Sequence, residues 1–246
     1  MGMFDFYSPT KPNGDVRTLG CRLHLSMRSA PVRRPGQLGT RTSLSLATPR
    51  LSDDDSVRTH VALLRGVNVM GRNKMSMVEL REVVASLGYG DVTTYIQSGN
   101  VVFAAAEPDV DSVGLADKIG VAIAGRLAVR PAVVVLGRAE LTQVVRDNPF
   151  PSEDDPRRLH AVFLREAPDL QEIASVTSAV DRARTKASRD DARVVGRTLY
   201  LWTPDGFAPS ILRAELSRGG RHRTPMQSGT ARNWATVNML VSLLEG

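Results

Sequence analysis

Regular hydrophobic patterning begins at residue 59. HVALLRG (60–66) is a short apolar run closed by an arginine and a glycine, the pattern of a buried strand. SMVELREVVASLGYG (76–90) places Met77, Leu80, Val83, Val84 and Leu87 on one helical face. Ser76 and Glu79 are spaced as a capping box there, and Gly88 is the expected C-terminal cap. VTTYIQSGNVVFAA (92–105) reads as two strands around a turn. A helix over about 110–128 with Ala116, Ile119, Ile123 and Leu127 in register follows, then the buried strand AVVVL (132–136). The predicted order is βαββαβ.

A second set follows the helix RAELTQVVRDN (138–148) and the loop PFPSEDDP (149–156). HAVFLRE (160–166) has the shape of HVALLRG, with His60 and His160 opening the two runs and Arg65 and Arg165 closing them. A helix near Pro168, a hairpin ARVVGRTLYLW (192–202) turning at Gly196 and Arg197, the turn PDG, a short helix from Ser210 and a last helix from Thr230 complete it. The pattern predicts an α+β protein of two ferredoxin-like (βαββαβ-type) subdomains, over 59–137 and 138–246, the second degenerate and ending in a C-terminal helix.

Residues 1–58 carry Ser, Thr, Arg, Pro and Gly without periodicity and end in SDDDS, the composition of a disordered basic extension. A start codon placed too early, a basic arm and an Arg-rich targeting peptide all fit it. This stretch also explains the sequence pI of about 10.0. Lys11 and seven arginines face only Asp5 and Asp15 within residues 1–50, which leaves 24 basic and 24 acidic residues in the remainder. The charge is that of a tail and argues weakly for a basic binding face. Cys21 is the one cysteine, so an internal disulfide and a cysteine-ligated metal site are excluded. No apolar run approaches the roughly 18 residues of a membrane span, and the expected compartment is the cytoplasm.

Three polar segments are candidates for chemistry. In LLRGVNVMGRNK (63–74) a strand end leads through Gly66, Asn68, Gly71, Arg72 and Lys74 to a helix start, where N–H groups and cationic side chains suit an anion. The turn TYIQSGN offers Gln97, Ser98 and Asn100 around Gly99; amides both donate and accept, which suits binding more than proton transfer, and the same groups could bond the turn itself. In SGTARNWATVNML, Thr230 is placed to cap the last helix, which puts Arg232 and Asn233 in its first turn and Trp234 on the apolar stripe. An arginine opposes the helix dipole there and needs a reason of its own, a domain carboxylate or a bound anion. RGGRHR (218–223), EDD (153–155) and DD (190–191) read as solvated loops. His24, His60, His160 and His222 lack the spacing of a metal site, and no cofactor is called for. G-x-S-x-G and G-x-G-x-x-G do not occur, and no catalytic residue is named.

LLRGVNV, the NK at 73–74, TYIQSGN, NPF (148–150) and TARNWATV together closely resemble the bacterial family known as domain of unknown function 1697, over about residues 59–246. The resemblance implies two ferredoxin-like α+β subdomains and no known activity. Met70 stands where that family often has glycine, and Ile211 where a lysine is common. The expectation is a protein that binds a polar anionic ligand (a nucleotide, a phosphometabolite or a short nucleic acid) in a cleft between subdomains. Arg65, Asn68, Lys74, Gln97, Ser98, Asn100, Arg232 and Asn233 would converge there. An enzyme acting on a phosphorylated or nucleotide substrate and a protein-interaction module without a small-molecule site stay open. RNA on the sheet face is disfavoured, because HVALLRG has no aromatic residue.

Overall fold

The computed structural model describes residues 57–69, 73–106, 111–218 and 223–246. The predicted extension at 1–58 therefore lies almost wholly outside the described residues, as do Met70, Gly71, Arg72, Arg221 and His222. The fold is α+β, with two four-stranded antiparallel sheets, helices between the strands and a C-terminal helix.

The first set runs β1 (His60–Leu64), α1 (Met77–Ala85), β2 (Gly90–Tyr95), β3 (Asn100–Ala104), α2 (Ser112–Leu127) and β4 (Val133–Gly137), followed by α3 (Arg138–Arg146). The second runs β5 (Leu159–Phe163), α4 (Leu170–Arg184), β6 (Asp191–Val195), β7 (Thr198–Trp202), α5 (Ile211–Ser217), α6 (Pro225–Ser228) and β8 (Thr230–Asn233), followed by α7 (Trp234–Glu245). The sheet orders are β2-β3-β1-β4 and β6-β7-β5-β8, so each strand of one set has a counterpart in the other. Even the closing turn repeats: the Leu64 N–H donates to the Gly99 carbonyl and the Leu164 N–H to that of Arg197.

Alternation along the central strands builds three cores. Ala62 and Leu64 face α1 and α2, whereas Val61 and Leu63 face a middle core shared with Leu159, Ala161, Phe163 and Tyr200 of the second sheet. Leu141 and Val144 of α3 and Trp234, Val237, Leu240 and Leu244 of α7 complete that middle core. Val162, Leu199 and Leu201 face α4 and α5. Trp234 is thus a core residue, as its place on the apolar stripe predicts. Each fully buried large side chain contributes on the order of 2 kcal/mol, so the middle layer holds the sheets together.

Local chemistry departs from expectation at three places. Ser76 caps α1 through the Val78 N–H, without the reciprocal Glu79 bond of a capping box; the box forms instead at α4, between Asp169 and Glu172. Asp190 is buried, because it accepts from Ser210 Oγ (2.9 Å) and the Leu212 N–H (3.2 Å) at the start of α5. The third departure bears on the site. Thr230–Asn233 is a strand paired with β5, with Arg232 opposite Ala161, and Asn233 rather than Thr230 caps α7 by accepting from the Thr236 N–H at 2.9 Å. Arg232 therefore meets no helix dipole.

Candidate functional site: an arginine-lined cleft beside β8

A cavity of about 550 Å3 lies where the loop ends of the first sheet meet β8, α5 and α6 of the second set. Of the eight residues read from the sequence, Arg65, Ser98, Arg232 and Asn233 line it. Asn68, Lys74, Gln97 and Asn100 do not, and each has a definite place. Asn68 adopts φ 56° and ties its own loop to the hairpin, its amide donating to the Met75 and Gln97 carbonyls, both at 2.9 Å. Lys74 and Gln97 are exposed. Asn100 is fully buried on β3 and donates to the Tyr95 carbonyl (3.0 Å) and Ser98 Oγ (2.9 Å).

Asn100 also receives a bond from the other sheet. The Arg232 guanidinium donates to Asn100 Oδ1 at 2.5 Å, to the Leu64 carbonyl at 2.8 Å and to the Ser98 carbonyl at 3.0 Å, with further bonds to Thr230 Oγ1 and the Ala231 carbonyl. The Ser98–Asn100 end of the hairpin turn is thus the receptor of an arginine that joins the two sheets. Arg232 is 8% exposed and every partner is neutral, so burial pushes its pKa down to about 10 and it remains a cation at neutral pH. Gly99 lets the hairpin turn pack closely on the end of β1: at φ +72° a Cβ there would sit 2.5 Å from Val67 Cγ2 and 2.8 Å from Leu64 Cβ. A second arginine spans the sheets elsewhere, Arg197 bonding Glu140, the Val135 carbonyl (2.9 Å) and the Arg165 carbonyl (3.1 Å).

The remaining walls of the cleft escape a sequence reading. Arg213 of α5 is held by the Phe207 and Ala208 carbonyls, both at 2.9 Å, and lies over the Phe207 ring with 5.5 Å from guanidinium carbon to centroid. Phe207 also stacks on His160, ring centroids 3.9 Å apart. His160 is 8% exposed, burial lowers its pKa to about 4, and its Nδ1 has no hydrogen-bond partner. Arg65 donates to the Gln227 carbonyl. Three guanidinium groups therefore line one cavity, oriented by carbonyl oxygens, and no Asp or Glu is among its lining residues. Among the described residues, no group of three His, Cys, Asp or Glu is placed to hold a metal ion.

The protein-family model that matches this chain is described as a protein of unknown function (DUF1697), and it covers residues 57–200. The chain belongs to the DUF1697 family. The match takes in both strand-end arginines and the TYIQSGN hairpin, while TARNWATV lies beyond it. A conserved bacterial protein of Streptococcus pneumoniae, SP0830, has a similar solved structure: TM-score 0.60 at 19% identity, covering 76% of this chain and 98% of that one. At that identity the likeness is one of fold. A search of curated proteins yields no match. For a DUF1697 member, then, the site has to be argued from its own geometry. Among the described residues, no helix is long and apolar enough to cross a membrane.

Proposed function

We propose that this protein binds a small polar ligand through its acidic groups in the arginine-lined cleft, the ligand being a nucleotide, a phosphorylated metabolite or a short nucleic acid. One observation carries the reading: Arg65, Arg213 and Arg232 share a cavity whose lining contains no carboxylate. Two cations near a protein surface attract an anion by about 4 kcal/mol each at contact distance, and like charges left facing one cavity repel until an anion enters. Arg232 spends its N–H groups on the hairpin, so it supplies charge from below. Arg65 and Arg213 are tethered by one edge of the fork each and keep donors for a ligand. The volume lies within the usual range for small-molecule sites, roughly 300–1,000 Å3.

Two features narrow the reading. Phe207 has His160 on one side and Arg213 over its ring, so recognition falls to acidic groups rather than to base stacking on that ring. His160 is the one lining group besides the arginines that titrates, and with a pKa of about 4 it is a weak base at neutral pH. Both features support binding over catalysis.

The test is a thermal-shift screen of the full chain against nucleotides, sugar phosphates, inorganic phosphate and short oligonucleotides, run beside Arg65→Ala/Arg213→Ala. A ligand bound only by the native state raises the melting point by mass action. The reading predicts stabilisation by one of these classes, lost in the double variant. Equal shifts in both proteins would reject it.

A further inference from the structure

The fold holds a counterpart of the cleft whose lining includes a carboxylate. A second cavity, of about 360 Å3, lies between α2 and the edge strand β4, lined by Asp117, Gly120, Arg130, Val133 and Arg165 among others, so it holds one carboxylate beside two guanidinium groups. Its position repeats that of the cleft. The cleft is walled by β8 and by α5 and α6, which precede that strand; the second cavity is walled by β4 and by α2, which precedes it. Each borrows the arginine that closes the first strand of the opposite set, Arg65 after β1 for the cleft and Arg165 after β5 for the second cavity.

The two arginines are treated differently. Arg165 Nη2 donates to Asp117 Oδ2 at 2.6 Å and to the Val113 carbonyl at 3.3 Å. The bond from Arg165 holds the Asp117 carboxyl below its ordinary range, so this carboxylate is ionised wherever the protein is near neutral pH. The Arg65 guanidinium bonds only the Gln227 carbonyl among the described residues, and no described carboxylate pairs with it. One site contains its anion as a side chain; the other has the same cation and no anion.

We propose that the ligand's acidic group sits on Arg65 in the cleft as the Asp117 carboxylate sits on Arg165 in the second cavity, which is an anion site filled by its own chain. This rests on the binding reading of the cleft and adds where the anion docks and of what kind it is. The group is an oxyanion, carboxylate or phosphate, with oxygens placed to accept from one guanidinium fork. It follows that removing the internal carboxylate opens a second site of the same chemistry. Asp117 lies on an exposed helix face with its side chain 63% accessible, so asparagine there leaves the core untouched.

The experiment follows the Nε–Hε NMR signals of Arg65, Arg165 and Arg213 in the full chain, assigned with single Arg→Lys variants, during titration with pyrophosphate and separately with malonate. In the unsubstituted protein the Arg65 signal moves saturably and that of Arg165 stays in place. In Asp117→Asn the Arg165 signal also moves, with at least about tenfold tighter apparent binding than in the parent, while the Arg65 response is unchanged. The preferred probe separates a phosphate from a carboxylate ligand. A silent Arg165 in Asp117→Asn overturns the counterpart inference and leaves the cleft reading standing. Movement of Arg213 without Arg65 overturns the placement on Arg65 alone. Movement of Arg165 in the variant, with Arg65 and Arg213 silent throughout, overturns both the placement and the cleft reading.

Discussion

Replacing Arg232 with methionine should destabilise the protein by about 3 kcal/mol. Arg232 is 8% exposed, and its guanidinium links β8 to the β2–β3 hairpin. Without it the Leu64 carbonyl keeps a long bond from Thr230 Oγ1 (3.4 Å), and the Gly99 carbonyl keeps the Leu64 N–H (2.8 Å). The fully buried Asn100 Oδ1 and the half-buried Ser98 carbonyl lose this donor outright, and a buried acceptor left unpaired costs about 1–3 kcal/mol, less where water from the cleft can reach it. Two such losses give at most about 2–6 kcal/mol. Burying a guanidinium with no carboxylate partner is itself expensive, and methionine removes that cost, which brings the balance to the lower half of the range. Lysine should not rescue the fold, because an ammonium cannot reach Asn100 Oδ1 and the Leu64 and Ser98 carbonyls from one planar fork. Urea unfolding followed by Trp202 and Trp234 fluorescence gives the change as the shift in midpoint times the slope. A loss below about 0.5 kcal/mol in Arg232→Met would refute the claim that this network adds to the apolar middle layer in joining the sheets.

Three further outcomes follow. Gly99→Ala should cost at least about 3 kcal/mol, about 1–2 for a left-handed alanine and the rest for a Cβ placed 2.5 Å from Val67 Cγ2 and 2.8 Å from Leu64 Cβ. Gly196→Ala, at φ +56° with nothing within 4 Å, should cost only the left-handed part, so equal thermal shifts for the two would contradict the close approach. His160 stays neutral in the native state down to about pH 4 but takes up a proton near pH 6.5 when unfolded; the unfolded chain therefore binds more protons as pH falls, and stability drops between those values. By pH 5 the loss is on the order of 2 kcal/mol, and His160→Phe should remove it in denaturant titrations at pH 7 and pH 5. His60, also lowered by burial, leaves a residual slope of the same sign. Arg65→Ala and Arg213→Ala should each weaken a bound phosphate ligand at least about tenfold, while unfolding midpoints stay close to the parent's.

What the chain displays in its sequence depends on how local the cause is. HVALLRG and HAVFLRE are legible because an unbroken apolar run between polar loops fits a strand covered on both sides, and α1 because its period alone separates core from solvent. β8 is not legible. TARN has only four residues, and it is a strand because β5 has a free edge for it, a fact about residues some seventy positions away. The same holds for the site. The hairpin TYIQSGN and Arg232 look like ligand groups in a sequence, since polar side chains around a glycine carry no mark of what they bond; only the tertiary approach makes them each other's partners. Phe207, Arg213 and His160 gave no local sign of a shared cavity. One pointer was present: the strand-end arginines Arg65 and Arg165 recur at matching places, and each lines a cavity.

The central claim concerns where an anion goes, and a crystal of the full chain soaked in tungstate tests it most directly, because the anomalous signal locates the ion without assuming a ligand. The account predicts a tungstate within hydrogen-bonding distance of Arg65 or Arg213 in the cleft, and none at Arg165, where Asp117 already sits. Tungstate bound only to surface cations such as Arg182, Lys186 and Arg218, around the buried Glu215, with the cleft empty, would contradict it.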